Sequence, residues 1–90
     1  MPESKQVTRY LVMAMRKPGF SDEAIAPHLA FLDALRAEGK LEMTGGFNDR
    51  SGGAYVLKAA SLEEARALVA MDPLETSGSS AITVYEWNTR

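Results

Sequence analysis

Apolar residues along this chain switch between two spacings, and the switches mark out its elements. Residues 6–15, QVTRYLVMAM, are rich in β-branched, aromatic and large apolar side chains and alternate at first, which predicts a strand. From Tyr10 to Met15 the run is apolar on both faces, so this strand should be covered on both sides. The Pro18-Gly19 pair predicts a turn. Ser21 then offers a helix N-cap, with Asp22 and Glu23 in the first turn, where the helix dipole favours negative charge. Ile25, Leu29, Leu32 and Leu35 recur at helical spacing, and Gly39 suits the left-handed position that ends a helix near Glu38. Pro27 lies inside this span. It is tolerated near the first turns, where amides lack intrahelical partners, or it marks the true start.

Residues 40–49 read as a second strand interrupted by Gly45 and Gly46, a pair that predicts a bulge or the close approach of another group. Residues 48–53 form a hairpin loop, 54–60 a third strand and 61–72 a second helix, with Ser61 and Glu64 as a capping box. Pro73 ends that helix, because a residue before proline is pushed out of the helical region. Residues 74–81 are a loop with room for a short helical turn, and 81–87 alternate as a fourth strand. Residues 1–5 are a polar tail. The order β-α-β-β-α-β predicts a ferredoxin-like α+β domain: one four-stranded antiparallel sheet with two helices on one face, its core at about 6–88.

The other face of that sheet needs a cover. Leu11, Met13 and Met15 point one way and Tyr10, Val12 and Ala14 the other; on the last strand Ile82 and Val84 oppose Tyr85 and Trp87. A monomer would expose a broad apolar face, which soluble monomers rarely do. The pattern therefore predicts a homodimer packed sheet against sheet; the alternative is a half-wet face lined by Tyr and Trp.

Composition narrows the chemistry. Ninety residues make one small domain. There is no cysteine and a single histidine, which excludes a disulfide framework and a thiol nucleophile and argues against a zinc site. A net charge of −2, with scattered Lys and Arg, speaks against a nucleic-acid partner. The N-terminal stretch lacks the apolar region of a secretory signal, and the longest apolar run is too short to span a bilayer, so a cytoplasmic protein without a membrane partner is expected.

The one histidine, His28, falls within the apolar stripe of the first helix, so it faces the sheet or a cavity beside it. On the second helix Leu62, Ala65 and Val69 form the inner stripe, and Asp72 continues it at the last turn, where the dipole disfavours a negative charge. An inward carboxylate there needs a cation or hydrogen-bond donors. Both helices lie on one sheet face, so a His28–Asp72 pair is a geometric expectation. Such a pair would fix the imidazole tautomer and leave the other ring nitrogen as general base or acid. The structural alternative is a histidine satisfied within the core and an aspartate that merely punctuates a helix end. Gly45 and Gly46 could let a ligand approach the backbone. Ser77, with Ser79 and Ser80, could bind an anion or be ordinary loop. Arg9 and Arg16 could hold a carboxylate or be solvated, and Met13, Met15 and Met43 read as core filler.

APHLAFLDALRAEGKLEMTGGF, then SLEEARALVAMDP and a closing ITVYEW, resembles the YciI-like (YCII-related) family across roughly residues 7–87. The resemblance implies the dimeric α+β barrel fold, in which two ferredoxin-like sheets pack together. It implies an active site of His28 and Asp72. Related barrels include isomerases, lyases and cofactor-free monooxygenases acting on small, often aromatic, compounds. Ile25 stands where many members carry an Arg, so any anion-binding role of that Arg is lost or moved here. The expectation is a cofactor-free acid–base enzyme of the lyase or isomerase class, with a small aromatic or keto acid as ligand. The alternative is a non-catalytic binding or accessory protein on the same fold.

Overall fold

The computed structural model describes residues 6–90; the polar tail expected at 1–5 lies outside the described residues. The strands are β1 (Val7–Arg16), β2 (Leu41–Gly46), β3 (Gly52–Leu57) and β4 (Ser80–Thr89), and the helices are α1 (Ile25–Ala37), α2 (Leu62–Val69) and the single turn α3 (Pro73–Thr76). The sheet order is β2-β3-β1-β4, with every neighbouring pair antiparallel. This is the ferredoxin-like α+β arrangement, extended by one short helix. β1 lies inside the sheet and pairs with β4 along its whole length, from Val7 opposite Thr89 to Arg16 opposite Ser80.

The alternation of β1 sorts itself as its side chains predict. Tyr10, Val12 and Ala14 are buried beneath the helices, with Tyr55 and Leu57 of β3 beside them. Leu32 and Leu35 of α1 and Ala65 and Val69 of α2 close over this core. Burying a side chain such as Leu57, which has no exposed area, contributes roughly 1.5–3 kcal/mol. A smaller cluster of Ala14, Ala24 and Leu74 continues the layer towards the other end of the strands. The opposite sheet face carries Leu11, Met13, Val56 and the exposed Met15, Met43, Tyr85 and Trp87.

The first helix opens with a 3₁₀ turn at Asp22–Ala24, where Ser21 Oγ accepts from Glu23 N. The α-helix proper begins at Ile25, so Pro27 falls in its first turn and breaks no hydrogen bond. At the far end Gly39 adopts φ +75°, and Lys40 N and Gly39 N donate to Leu35 O and Arg36 O, a Schellman closure.

Three expectations need correcting. The helix expected over 61–72 stops at Val69. Met71 N and Asp72 N donate back to Leu68 O and Val69 O, which tightens the chain out of the helix. Asp72 is then extended, as a residue before proline must be, and its side chain caps α3 by accepting from Leu74 N. It therefore stands at a helix start. Leu29, placed in the buried stripe, is 52% exposed, and it stands over a part of the sheet rich in glycine and alanine. The bulge in β2 falls between Leu41 and Met43, where Glu42 is the extra residue and pairs with Arg9; Gly45 and Gly46 sit in regular register with Ala54 and Gly53.

Candidate functional site

Three elements bring one polar cluster together. α1 points His28 at the sheet, β3 supplies Tyr55, and the link between α2 and α3 supplies Asp72. His28 Nδ1 lies 2.8 Å from Asp72 Oδ1, Tyr55 Oη donates to Asp72 Oδ2 at 2.8 Å, and Leu74 N donates to Oδ1 at 2.9 Å. Asp72 is completely buried. A buried carboxylate is tolerated only with such partners, and three donors converge on its two oxygens. The carboxylate accepts, so Nδ1 carries a proton in this contact, and in the neutral ring Nε2 then holds the lone pair. Nε2 has no hydrogen-bond partner among the described residues.

The imidazole is held by rings as well. Phe31 stacks with it at a centroid separation of 6.5 Å, and Tyr55 lies tilted against it at 5.9 Å. Burial pushes the Tyr55 phenol far above its ordinary range, and the Asp72 charge and hydrogen bond add to this. Tyr55 is therefore a fixed donor across the whole working pH range.

His28 lines a cavity of about 230 Å³ between α1 and the small-residue end of the sheet. Apolar cavities of about 150 Å³ accommodate a benzene ring, so there is room here for one substituted ring. The walls are mainly apolar: Ala14, Phe20, Ile25, Leu29, Leu32 and Leu74, floored by glycines of β2 and β3. Gly45 and Gly46 are in that floor. A Cβ on either would meet nothing closer than Gly52 O at 3.9 Å from Gly46, so the chain's own packing does not demand them. Ser77 does not join this site. It faces a separate depression near Pro18 and Pro27 and hydrogen-bonds Ser79.

Sequence reasoning missed Tyr55; Arg16 is exposed, as a solvated residue would be, and also lines the cavity. The signal for Tyr55 was its alternation with Leu57 on a buried strand, since a buried phenol requires a hydrogen-bond partner. No group of three or more His, Asp or Glu side chains gathers as a metal site among the described residues.

With this fold and cluster in place, comparison with known proteins gives the class. The family model of the YCII-related domain matches residues 8–88, and the chain belongs to that family. A relative from Bacillus subtilis (strain 168), uncharacterized protein YjpA, is 51% identical over 78 residues, covering 87% of this chain and 92% of the relative. The solved structure of 5-chloro-2-hydroxyhydroquinone dehydrochlorinase (TftG) from Burkholderia phenoliruptrix AC1100, in complex with 2,5-dihydroxybenzoquinone, is similar with a TM-score of 0.73. It is 27% identical and matches 88% of this chain and 92% of that one. Among the described residues no helix is long and apolar enough to cross a membrane.

Proposed function

We propose that this protein is a small acid–base enzyme that removes a proton from a small carbonyl or phenolic compound and so drives an elimination or an isomerisation, using no metal or organic cofactor. One observation carries the reading: Nδ1 of His28 is tied to buried Asp72 while the ring lines a cavity sized for one substituted ring. In this reading Nε2 takes the proton and Asp72 balances the imidazolium that forms. Tyr55 and Leu74 N hold the carboxylate in place, so it orients the ring. In an elimination, the electron pair left by the proton forms the new double bond and the leaving group departs with its own pair. In an isomerisation, the imidazolium returns the proton to another atom of the same ligand. The likeness to a dehydrochlorinase bound to a quinone supports the lyase class and a planar oxygenated ring as substrate. Gly45 and Gly46 would form the wall against that ring.

The reading includes a homodimer. The sheet face away from the helices exposes Met15, Met43, Tyr85 and Trp87 together, an apolar surface suited to a second copy of itself. Sedimentation at micromolar concentration should give twice the chain mass; a monomer there would remove this part.

The decisive experiment combines turnover with His28 NMR, using chlorinated hydroquinones, small keto acids and 2,5-dihydroxybenzoquinone. Chloride release or isomerisation is expected, falling about 10²–10⁴-fold in His28→Gln, the usual contribution of a general base. Ligand binding without turnover of any compound would make the protein a binding module. A His28 ring that answers neither pH nor any ligand would remove the site altogether.

A further inference from the structure

We infer that the end of the cavity away from Tyr55 is an anion subsite built by Arg16 and Ser80, so that the preferred ligand is a small ring bearing one anionic oxygen group. The inference rests on the proposed acid–base reading for the role of His28, and adds the ligand's charge and its direction of entry.

Register places the two residues. Val12 pairs with Tyr55, and Arg16 lies four residues further along β1, about 13 Å at the usual strand rise. Arg16 and Ser80 are direct cross-strand partners, and by alternation both share the helix face with Val12 and Ala14. Both line the cavity.

Arg16 is the one Lys or Arg among the lining residues, and no Asp or Glu lines the cavity with it. It makes no ion pair among the described residues. Its guanidinium lies over the Phe20 ring, 4.2 Å from the centroid. Stacking on an aromatic face restrains the plane of the group while leaving its N–H edge free, the geometry that binds carboxylates in pairs of hydrogen bonds.

Ser80 adds an independent observation. It is 2% exposed, and its Oγ is buried with no hydrogen-bond partner. A buried hydroxyl left unpaired is unfavourable and calls for an explanation. Its place beside a free guanidinium supplies one: rotation about the Cα–Cβ bond turns the hydroxyl to an oxygen held by Arg16. Arg16 is itself exposed, so it would meet the anionic group at the edge of an otherwise mainly apolar wall. A ring held this way lies between the guanidinium and the imidazole, its anionic group turned from the base.

Benzoate and benzamide, equal in shape and different in charge, test the idea by NMR titration of the full chain. Benzoate should perturb the cavity resonances and bind about tenfold or more tighter than benzamide, the usual scale for hydrogen bonds to a charged group. Arg16→Gln should abolish that preference by weakening benzoate much more than benzamide, and Arg16→Lys should restore part of it. Ser80→Ala should weaken benzoate a few-fold. Equal affinity of the two probes, equal loss of both in Arg16→Gln, or benzoate shifts outside the cavity would overturn the subsite. So would failure of both probes to bind. Turnover of neutral substrates alongside any of these would leave the acid–base reading standing, whereas benzoate preference without turnover would leave only the subsite.

Discussion

The helix side of the sheet has two ends that are filled differently. Along β1 the buried side chains shrink from Tyr10 through Val12 to Ala14, and their partners on β3 are the large Leu57 and Tyr55 and then Gly53, which has no side chain. At the large end Val12, Leu57 and Ala65 have no exposed area. At the small end the same layer of helix over sheet leaves a cavity of about 230 Å³. α1 spans both ends, with Leu32 and Leu35 packed down and Ile25, His28 and Leu29 over open space. Stability and chemistry are thus divided along the strands rather than between elements. The polar trio sits at the boundary, Tyr55 packed in the large-residue cluster with its hydroxyl on Asp72.

Mutations can break this division. Leu57→Ala, at the filled end, should have the largest effect on stability, about 2–5 kcal/mol, read by urea unfolding. A loss below about 1 kcal/mol would mean the two ends are equally loose. At the boundary, Tyr55→Phe removes a hydrogen bond to a carboxylate and should lose about 1.5–3 kcal/mol. It should also change the alkaline limb of stability. The folded phenol ionises well above an unfolded tyrosine, so the contribution is whole below pH ~10 and shrinks as pH rises from there towards the folded value. The fall approaches ~1.4 kcal/mol per pH unit from this one group. Urea unfolding from pH 8 to 11 should show that part missing in the variant; identical limbs would mean that burial and the Asp72 charge do not hold the phenol un-ionised.

The glycines sharpen the comparison with smaller effects. A Cβ at Gly53 would lie 2.6 Å from Gly45 O and 3.2 Å from Gly46 Cα, both backbone atoms that yield only if the strands part. Gly53→Ala should therefore lose about 1–3 kcal/mol. Gly46→Ala meets its nearest atom at 3.9 Å and should change stability by less than about 0.5 kcal/mol while weakening any ligand of the cavity. Equal losses from the two would show that the Gly46 position is as tightly packed as its cross-strand partner Gly53.

The fold was legible because hydrophobic period and punctuation agreed: alternation in β1 and β4, the Ser61–Glu64 capping box, and Gly39 at a helix end. His28 was legible as an inward polar residue. Asp72 was found for a partly mistaken reason. Its place in the apolar stripe of α2 suggested an inward carboxylate, but Asp72-Pro73-Leu74-Glu75 is a helix start, and the side chain turns inward while capping it. The cavity was legible only as one of two settings for His28, because periodicity marks which residues are buried and not what they fail to fill. The taper from Tyr10 to Ala14 and from Leu57 to Gly53 records that failure, but only once register sets the strands side by side.

The long pairing of β1 with β4 also governs when this molecule can exist. Val7 and Thr89 meet across 82 positions of sequence, so β1 cannot complete its neighbours until the last-made strand arrives. Contacts so distant are closed late and slowly. Residues 28, 55 and 72 are all synthesised earlier, yet the sheet that positions them waits for residues 80–89. A chain growing from the ribosome can pair β1 with β3 once residue 57 is made, but it leaves the other edge of this apolar strand open until residues 80–89 emerge, and in that interval the open edge of β1 is the segment a chaperone would bind.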